Sequence, residues 1–355
     1  MNPIYYVVTY WRNKAFDYGW LKSKSYGFPV IGVGNLSVGG TGKSPMIEYL
    51  IRLLSKDFQT ATLSRGYKRK TTGFKLADAS DSAVSIGDEP FQIYRKFGER
   101  IKVAVDEKRV RGITELKDQF KKIKAVILDD AYQHRYVKPG VSVLLIDYNR
   151  PLIDDHLLPW GELREPVYAA KRRANIVIVT KTPHNIKPIE KRLWIKDLRL
   201  FPYQFLFFTS FVYGKLTPVF TKRGHKLSLQ ELKENKISVL LVTGIANPDP
   251  LIDEIKKVSR KAEILSFPDH QDYGQIHTAA ITRKFSAMKG ENKVIVTTEK
   301  DAVKLEKLHF ENKEVAKNLY YLPVKIQFLD GGEEEFDKRI VDFVTKNKRV
   351  SRLHK

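Results

Sequence analysis

Residues 34–44, Gly34-Asn35-Leu36-Ser37-Val38-Gly39-Gly40-Thr41-Gly42-Lys43-Ser44, decide how the rest of the chain is read. A Val- and Ile-bearing run from Pro29 to Gly34 precedes them. From Lys43 to Lys56, Met46, Ile47, Leu50 and Leu54 recur at the spacing of one helix face. Strand, glycine-rich turn and helix, in that order, are the setting a phosphate-binding loop needs. Gly39, Gly40 and Gly42 let successive N–H groups face one anion. The helix start adds the positive end of its dipole. Ser37, Val38 and Thr41 complete the loop, Lys43 is placed to reach the β- and γ-phosphates, and the Ser44 hydroxyl to bind Mg²⁺. The general pattern has glycine where this chain has Ser37, which leaves the mechanical parts intact. A dinucleotide fingerprint beginning at Gly32-Val33-Gly34 fails at its third glycine, again Ser37, and gives the lysine no role.

Outward from this loop, apolar runs alternate with helix-like stretches, the pattern of a parallel sheet with crossover helices. Strands are expected at Ile101–Val105, Lys124–Asp130, Val141–Asp147 and Asn175–Lys181, several apolar on consecutive positions as if buried on both faces. Val126-Ile127-Leu128 ends in Asp129 and Asp130, carboxylates suited to the Mg²⁺ shell opposite Ser44. After the next strand but one comes Thr180-Lys181-Thr182-Pro183, where guanine-specific proteins carry an acid at the fourth position; Pro183 there favours ATP over GTP.

Between Gln204 and Thr221, two apolar segments flank Tyr213-Gly214-Lys215, which reads as a hairpin linker over 204–221. A second α/β unit is expected over 222–355: strand Ile237–Val242, helix from Pro250, strand Glu263–Phe267, helix Ile276–Met288, strand Lys293–Thr298 and a helix at Glu335–Thr345. The fold class is therefore α/β: a P-loop NTPase-like, mostly parallel sheet domain over 26–203, then the linker and a smaller α/β domain with a basic tail.

The chain has 355 residues, room for two domains, and 63 basic against 41 acidic side chains give a net charge of +22. That surplus suits an anionic partner or a lysine-rich surface. With no cysteine, disulfides, thiolate zinc sites and cysteine nucleophiles are excluded. No apolar run is long enough to span a bilayer. Residues 1–25 carry Ile4, Val7, Val8 and Trp11 at helical spacing, with Tyr5, Tyr10, Phe16, Tyr18 and Trp20 beside Arg12, Lys14, Lys22 and Lys24. This composition suits a membrane interface and equally a helix docked on its own domain.

Phosphoryl transfer needs a group to take the acceptor's proton and cations to hold the spreading charge. Asp88, in Gly87-Asp88-Glu89-Pro90, and His270, in Asp269-His270-Gln271-Asp272, are candidates for a base and its orienting partner. Arg164, after the apolar Leu157-Leu158-Pro159-Trp160-Gly161, suits a phosphate grip and equally a loop ion pair. Ser64-Arg65-Gly66-Tyr67 has the same ambiguity.

Taken in order, VGNLSVGGTGKSP, LSRGYKRK, GDEP, DDAYQHR, LLPWGELREP, TGIANP, FPDHQDY and TTEKDAVKL resemble the tetraacyldisaccharide 4'-kinase family of Gram-negative envelopes. That family also has Ser at the first loop position. The resemblance implies ATP-dependent phosphorylation of the 4'-hydroxyl of a tetraacyl glucosamine disaccharide 1-phosphate, a lipid A precursor, giving lipid IVA. It implies Asp88 as catalytic base, His270 as its partner, and Lys43, Ser44, Asp129 and Asp130 in the roles above. Tyr67, Arg109, Gln133, His134 and Arg164 fall in its substrate neighbourhood. It further implies peripheral attachment at the cytoplasmic face of the inner membrane, on an anionic surface. The chain departs from the family at Ala131, usually Gly, at Gln271, where a second His is common, and at Trp160 and Glu162. Its N-terminal helix is also shorter. The alternative is a P-loop ATPase acting as a switch or nucleic-acid-binding machine, against which stands the lack of any recognisable nucleic-acid module; no obligate protein partner is evident.

Overall fold

The computed structural model describes residues 3–152, 155–158, 160–220, 225–269, 271–290 and 292–353, with side chains described between residues 7 and 346 of these ranges. The chain forms two units, residues 1–211 with 326–355, and residues 212–325.

Runs without polar alternation cannot leave one sheet face wet, and Val30–Asn35 (β1) and Ile176–Thr180 are buried at every position. In the first unit β1 is followed by β2 (Thr60–Ser64), β3 (Lys75–Leu76), β4 (Lys102–Val105), β5 (Ala125–Asp129), β6 (Val141–Asp147), β7 (Ile176–Thr180) and β8 (Phe205–Tyr213). The second unit holds β9 (Thr217–Pro218), β10 (Ser238–Thr243), β11 (Ala262–Ser266), β12 (Lys293–Thr298) and β13 (Leu319–Leu322), before β14 (Val324–Phe328). The large sheet runs β14-β8-β7-β6-β1-β5-β2-β4-β3 and the small one β11-β10-β12-β13-β9. β1 is parallel to both β5 and β6, consecutive strands that lie on either side of it. Their carboxyl ends therefore open a crevice at a switch in strand order, the place where open α/β sheets take ligands.

The helix Lys43–Leu54 closes over β1 through Met46, Ile47, Leu50, Ile51 and Leu54, all buried. The last helix, Gly332–Leu353, joins the same core through Phe336, Ile340 and Val344, one face at helical spacing. Tyr49 of the loop helix reaches Asp337 at 2.7 Å and Glu333 at 3.1 Å, and its ring packs on Phe328 and Phe336. A second brace is Glu48, almost fully buried, which accepts from Arg52 (2.7 Å), Lys96 (2.7 Å) and Gln92 (3.2 Å). Gln92 and Lys96 belong to the helix Asp88–Phe97, so this carboxylate ties the helix bearing Asp88 to the phosphate loop's helix.

Two expectations are corrected. Residues 204–221 are no hairpin: β8 is parallel to β7, the Gly214 amide donates to the Pro323 carbonyl, and β9 pairs with β13. The apolar run of β8 is that of a strand inside a parallel sheet, and Tyr213-Gly214-Lys215 is where the chain leaves it. Nor do residues 326–355 belong to the second unit, because the final helix buries its apolar face on the first. Strands Val141–Asp147 and Lys293–Thr298 match expectation, and others shift by about one residue, within the usual spread.

Phe336 is wholly buried, so Phe336→Ala is expected to cost about 3–5 kcal/mol in a urea titration followed by circular dichroism. A loss below about 1 kcal/mol would mean that the last helix does not share this core.

Candidate functional site

The loop after β1 is built as an anion cradle. Gly39 (φ 108°) and Gly42 (φ 86°) lie in the left-handed region that side chains disfavour. A Cβ on Gly42 would stand 3.1 Å from the Phe211 ring, so space as well as backbone demands glycine. The Thr180 hydroxyl, at the end of β7, bonds the carbonyls of Thr41 (2.9 Å) and Ile146 (3.1 Å), pinning the loop to its neighbours. Ser37 and Thr41 are buried, whereas Val38 and Gly40 are exposed. Lys43 donates to the Asn35 side-chain oxygen at 2.9 Å and lies 3.9 Å from Asp130. Asn35 itself is fixed by donating to the Ser37 carbonyl at 2.8 Å. The sequence reading passed over Asn35, although it sits inside the loop motif.

Opposite, β5 ends in Asp129 and Asp130. Burial and then the charge of Asp130 push the Asp129 carboxyl up to about 6, with Lys43 pulling the other way. Oδ1 of Asp129 and Oδ1 of Asp130 are buried without a hydrogen-bond partner among the described residues. Two buried carboxylate oxygens without hydrogen-bond partners are oxygen donors of the type a hard divalent cation takes. The strained left-handed residue here is Asp130 (φ 50°), not Ala131, so the family's glycine position costs this chain nothing.

Asp88 opens the helix Asp88–Phe97 and is half-buried. The charge of its neighbour Glu89 acts on Asp129, which places this helix start beside the end of β5. Two glycines make that approach possible: a Cβ on Gly87 (φ 94°) would meet the Gly66 backbone at 3.0 Å and the Tyr67 carbonyl at 3.1 Å. The Gly66 and Gly87 turns thus pack backbone on backbone, setting the exposed Tyr67 next to Asp88 in space.

Among the other expected site residues, Arg109 is buried and spends its guanidinium on backbone, donating to the carbonyls of Asp106 (2.7 Å) and Asp129 (3.0 Å). Burial pulls it down to about 10. It holds the end of β5 in place. Arg164 reaches Asp130 at 3.4 Å, and the Gln133 amide oxygen accepts from its Nη1 at 2.8 Å. It therefore makes the loop ion pair beside the acidic strand end. His134, in the same Ala131–Arg135 segment, is pulled down to about 4 by burial and then by Arg109, against the attraction of Asp130.

This segment also receives the helix Pro3–Asp17. Arg12 donates to the Gln133 carbonyl (3.1 Å), Arg135 pairs with Asp17 (2.6 Å), and Phe16 packs on Tyr136. One side of the helix is docked, while Val7, Val8, Trp11 (58% exposed) and Trp20 (73% exposed) beyond it face outward. Docking and an exposed apolar face coexist. The side chains of Ile4 and Tyr5 lie outside the described ones.

His270 lies outside the described residues. In its unit, Asp269 pairs with Lys300 at 3.2 Å, and Gln271 Nε2 lies 3.1 Å from Nε2 of His277, a histidine the sequence reading passed over. Asp301, in the TTEKDAVKL segment, is buried and accepts from the Gly244 amide at 2.8 Å, joining two of the motifs at the carboxyl ends of β10 and β12.

A parallel sheet, an amide cradle with its lysine at the end of β1 and paired carboxylates at the end of β5 define a P-loop nucleotide-binding protein. The chain belongs to the tetraacyldisaccharide-1-P 4'-kinase family, whose model matches residues 1–345. It is 48% identical to the tetraacyldisaccharide 4'-kinase of Bacteroides thetaiotaomicron over 98% of this chain and 93% of that one. With the namesake from Flavobacterium johnsoniae it shares 45% identity over 97% and 95%. Among solved structures it is similar to LpxK from Aquifex aeolicus in complex with ATP, at TM-score 0.72 and 28% identity, covering 96% of both chains.

Because His134 is held neutral, acidification must charge it in the unfolded chain first. Its contribution to stability is full above its unfolded value near 6.5 and falls as pH drops toward 4. Its ring-proton NMR shift is expected to titrate near pH 4. A midpoint at about 6.5, the value for a free side chain, would contradict this burial.

Proposed function

We infer that this chain transfers the γ-phosphate of ATP to the 4'-hydroxyl of a tetraacyl glucosamine disaccharide 1-phosphate, forming lipid IVA. What carries the reading is the end of β1, where glycine-shaped amides and the Asn35-held Lys43 face Asp129 and Asp130, in a chain of this family.

In the reaction, the cradle amides of 39–44 and Lys43 bind the triphosphate and orient its terminal phosphoryl group. Ser44, Asp129 and Asp130 would hold Mg²⁺, which when bound neutralises charge on the phosphate oxygens. Asp88 takes the proton from the 4'-hydroxyl as the sugar oxygen attacks, and the electron pair of the broken bond leaves with ADP. Assignment of His270 as the partner of Asp88 rests on its motif alone. Tyr67, Gln133, His134 and Arg164 form the acceptor's surroundings, while Arg109 fixes the end of β5 through the Asp129 carbonyl. A cavity of about 490 Å³ adjoins the loop carrying Arg164; Leu152, Leu157, Leu163, Val167 and Leu198 give it an apolar wall suited to acyl carbons, and Asp155, His156, Lys171 and Asp197 line it as well.

No helix among the described residues is long and apolar enough to cross a membrane. The outward Val8, Trp11 and Trp20, with Lys346, Lys348, Arg349, Arg352 and Lys355 near the C-terminus, support peripheral binding at the cytoplasmic face of the inner membrane. Each basic residue near an anionic surface contributes about 1 kcal/mol, which suffices for reversible attachment.

The test supplies labelled ATP, Mg²⁺ and the tetraacyl disaccharide in detergent. Labelled lipid is expected from the native chain, with Lys43→Ala and Asp88→Ala each lowering kcat by about 10²-fold or more while leaving the circular dichroism unchanged. Hydrolysis without labelled lipid, stimulated by polynucleotide, would favour the ATPase reading instead. Near-native kcat in Asp88→Ala would remove it as the base. On membranes, about 1 M salt is expected to release much of the protein; full retention would make apolar insertion the main attachment.

A further inference from the structure

The turn after β6 carries a guanidinium that the scheme above leaves without a role. Asp147 ends β6 and shapes this turn, its carboxylate accepting from the Asn149 amide at 3.0 Å and its carbonyl from the Arg150 amide at 3.0 Å. Lys181, left-handed at φ 57° just past β7, grips the other oxygen of Asp147 at 2.5 Å, both side chains largely buried. Since β6 is the neighbour of β1, this braced turn stands beside the phosphate loop.

From it Arg150 reaches onto the loop. Its Nη1 lies 2.6 Å from the Glu162 carboxylate and 3.4 Å from the Val38 carbonyl, and a Cβ on Gly39 would stand 3.1 Å from it. Lys43 approaches from the helix end of the cradle, Arg150 from the strand end. The Arg150–Glu162 pair is solvent-exposed on both sides (38% and 49%), so it holds the guanidinium weakly. A charge-assisted, bidentate bond to a phosphate is the stronger partner.

We propose that Arg150 is a catalytic residue, leaving Glu162 when ATP fills the cradle and laying its guanidinium on the γ-phosphoryl oxygens. The proposal rests on the kinase reading. In the step it serves, a bond forms between the sugar oxygen and the γ-phosphorus while that phosphorus parts from the β,γ-bridging oxygen. The hydroxyl proton goes to Asp88 and the electron pair to ADP. Arg150 exchanges no atom; it stabilises charge that grows on the equatorial oxygens, an effect felt in kcat more than in ATP affinity.

The competing role for the same contacts is a strut, in which Arg150 and Glu162 merely hold the segment carrying Glu162 against Val38, whose amide donates to the Glu162 carbonyl at 2.9 Å. Three variants separate them in the lipid-phosphorylation assay, alongside titration with a fluorescent ATP analogue. Arg150→Ala is expected to lower kcat by about 10²–10³-fold with less than tenfold change in nucleotide Kd, and added guanidinium to restore part of the rate. Arg150→Lys should fall between, keeping charge but losing the fork, and serves should the alanine variant fail to fold. Glu162→Gln should stay within about threefold of native, since the glutamate only parks the guanidinium. Arg150→Ala within threefold of native overturns the proposal, as does Glu162→Gln falling as far as Arg150→Ala, which would make the pair a strut. A native chain that phosphorylates no lipid sinks the kinase reading and the proposal with it, whereas either variant result sinks the proposal alone.

Discussion

The ammonium of Lys43, held at 2.9 Å by the buried Asn35 side chain, is the contact on which the site depends. A lysine with a long, flexible stem would otherwise swing toward solvent or close its loose ion pair with Asp130, 3.9 Å away. Closed on that carboxylate, it would be drawn off the loop's own acceptor. Asn35 offers a neutral acceptor instead, so the lysine is aimed without being neutralised. The amide is in turn fixed on the Ser37 carbonyl, which couples the aim of the lysine to the first residue of the cradle.

Much of the first unit's packing serves to keep that geometry still. The loop helix is clamped from one side by Tyr49 against Asp337 and the Phe328–Phe336 pair, and from the other by Glu48 against Arg52, Gln92 and Lys96. Removing one partner from a buried charge of the Glu48 kind costs about 3–5 kcal/mol, a large share of a domain's net stability. The second clamp also carries the Asp88 helix, so the phosphate loop and Asp88 are referenced to one buried carboxylate. The C-terminal helix belongs to this arrangement, which is why it returns to the first unit.

What was legible in the sequence is what local pattern encodes. Gly39, Gly42, Lys43 and Ser44 can be read because strand, turn and helix follow one another without interruption, and Asp129 and Asp130 because an apolar run ends on them. Tyr213-Gly214-Lys215 misled, since a turn signal does not say which strand comes next: β8 continues a parallel sheet, and the partner of β9 is β13, about a hundred residues on. Arg109, expected in the substrate neighbourhood from the resemblance alone, was not legible as a residue facing backbone, because burial depends on the strand beside it. Asn35, whose partners Ser37 and Lys43 are local, lay inside the motif and was passed over, whereas Arg150 escaped for a reason of topology. Its reach to the Val38 carbonyl comes from β6 lying beside β1, a consequence of topology that no window of sequence contains.

The most direct measurement is a crystal structure with a non-hydrolysable ATP analogue and Mg²⁺. Density for the triphosphate wrapped by the amides of 39–44, with the Lys43 ammonium on its β- and γ-oxygens, is the expected result. A triphosphate bound elsewhere, with Lys43 still on Asn35 and the cradle vacant, would contradict it.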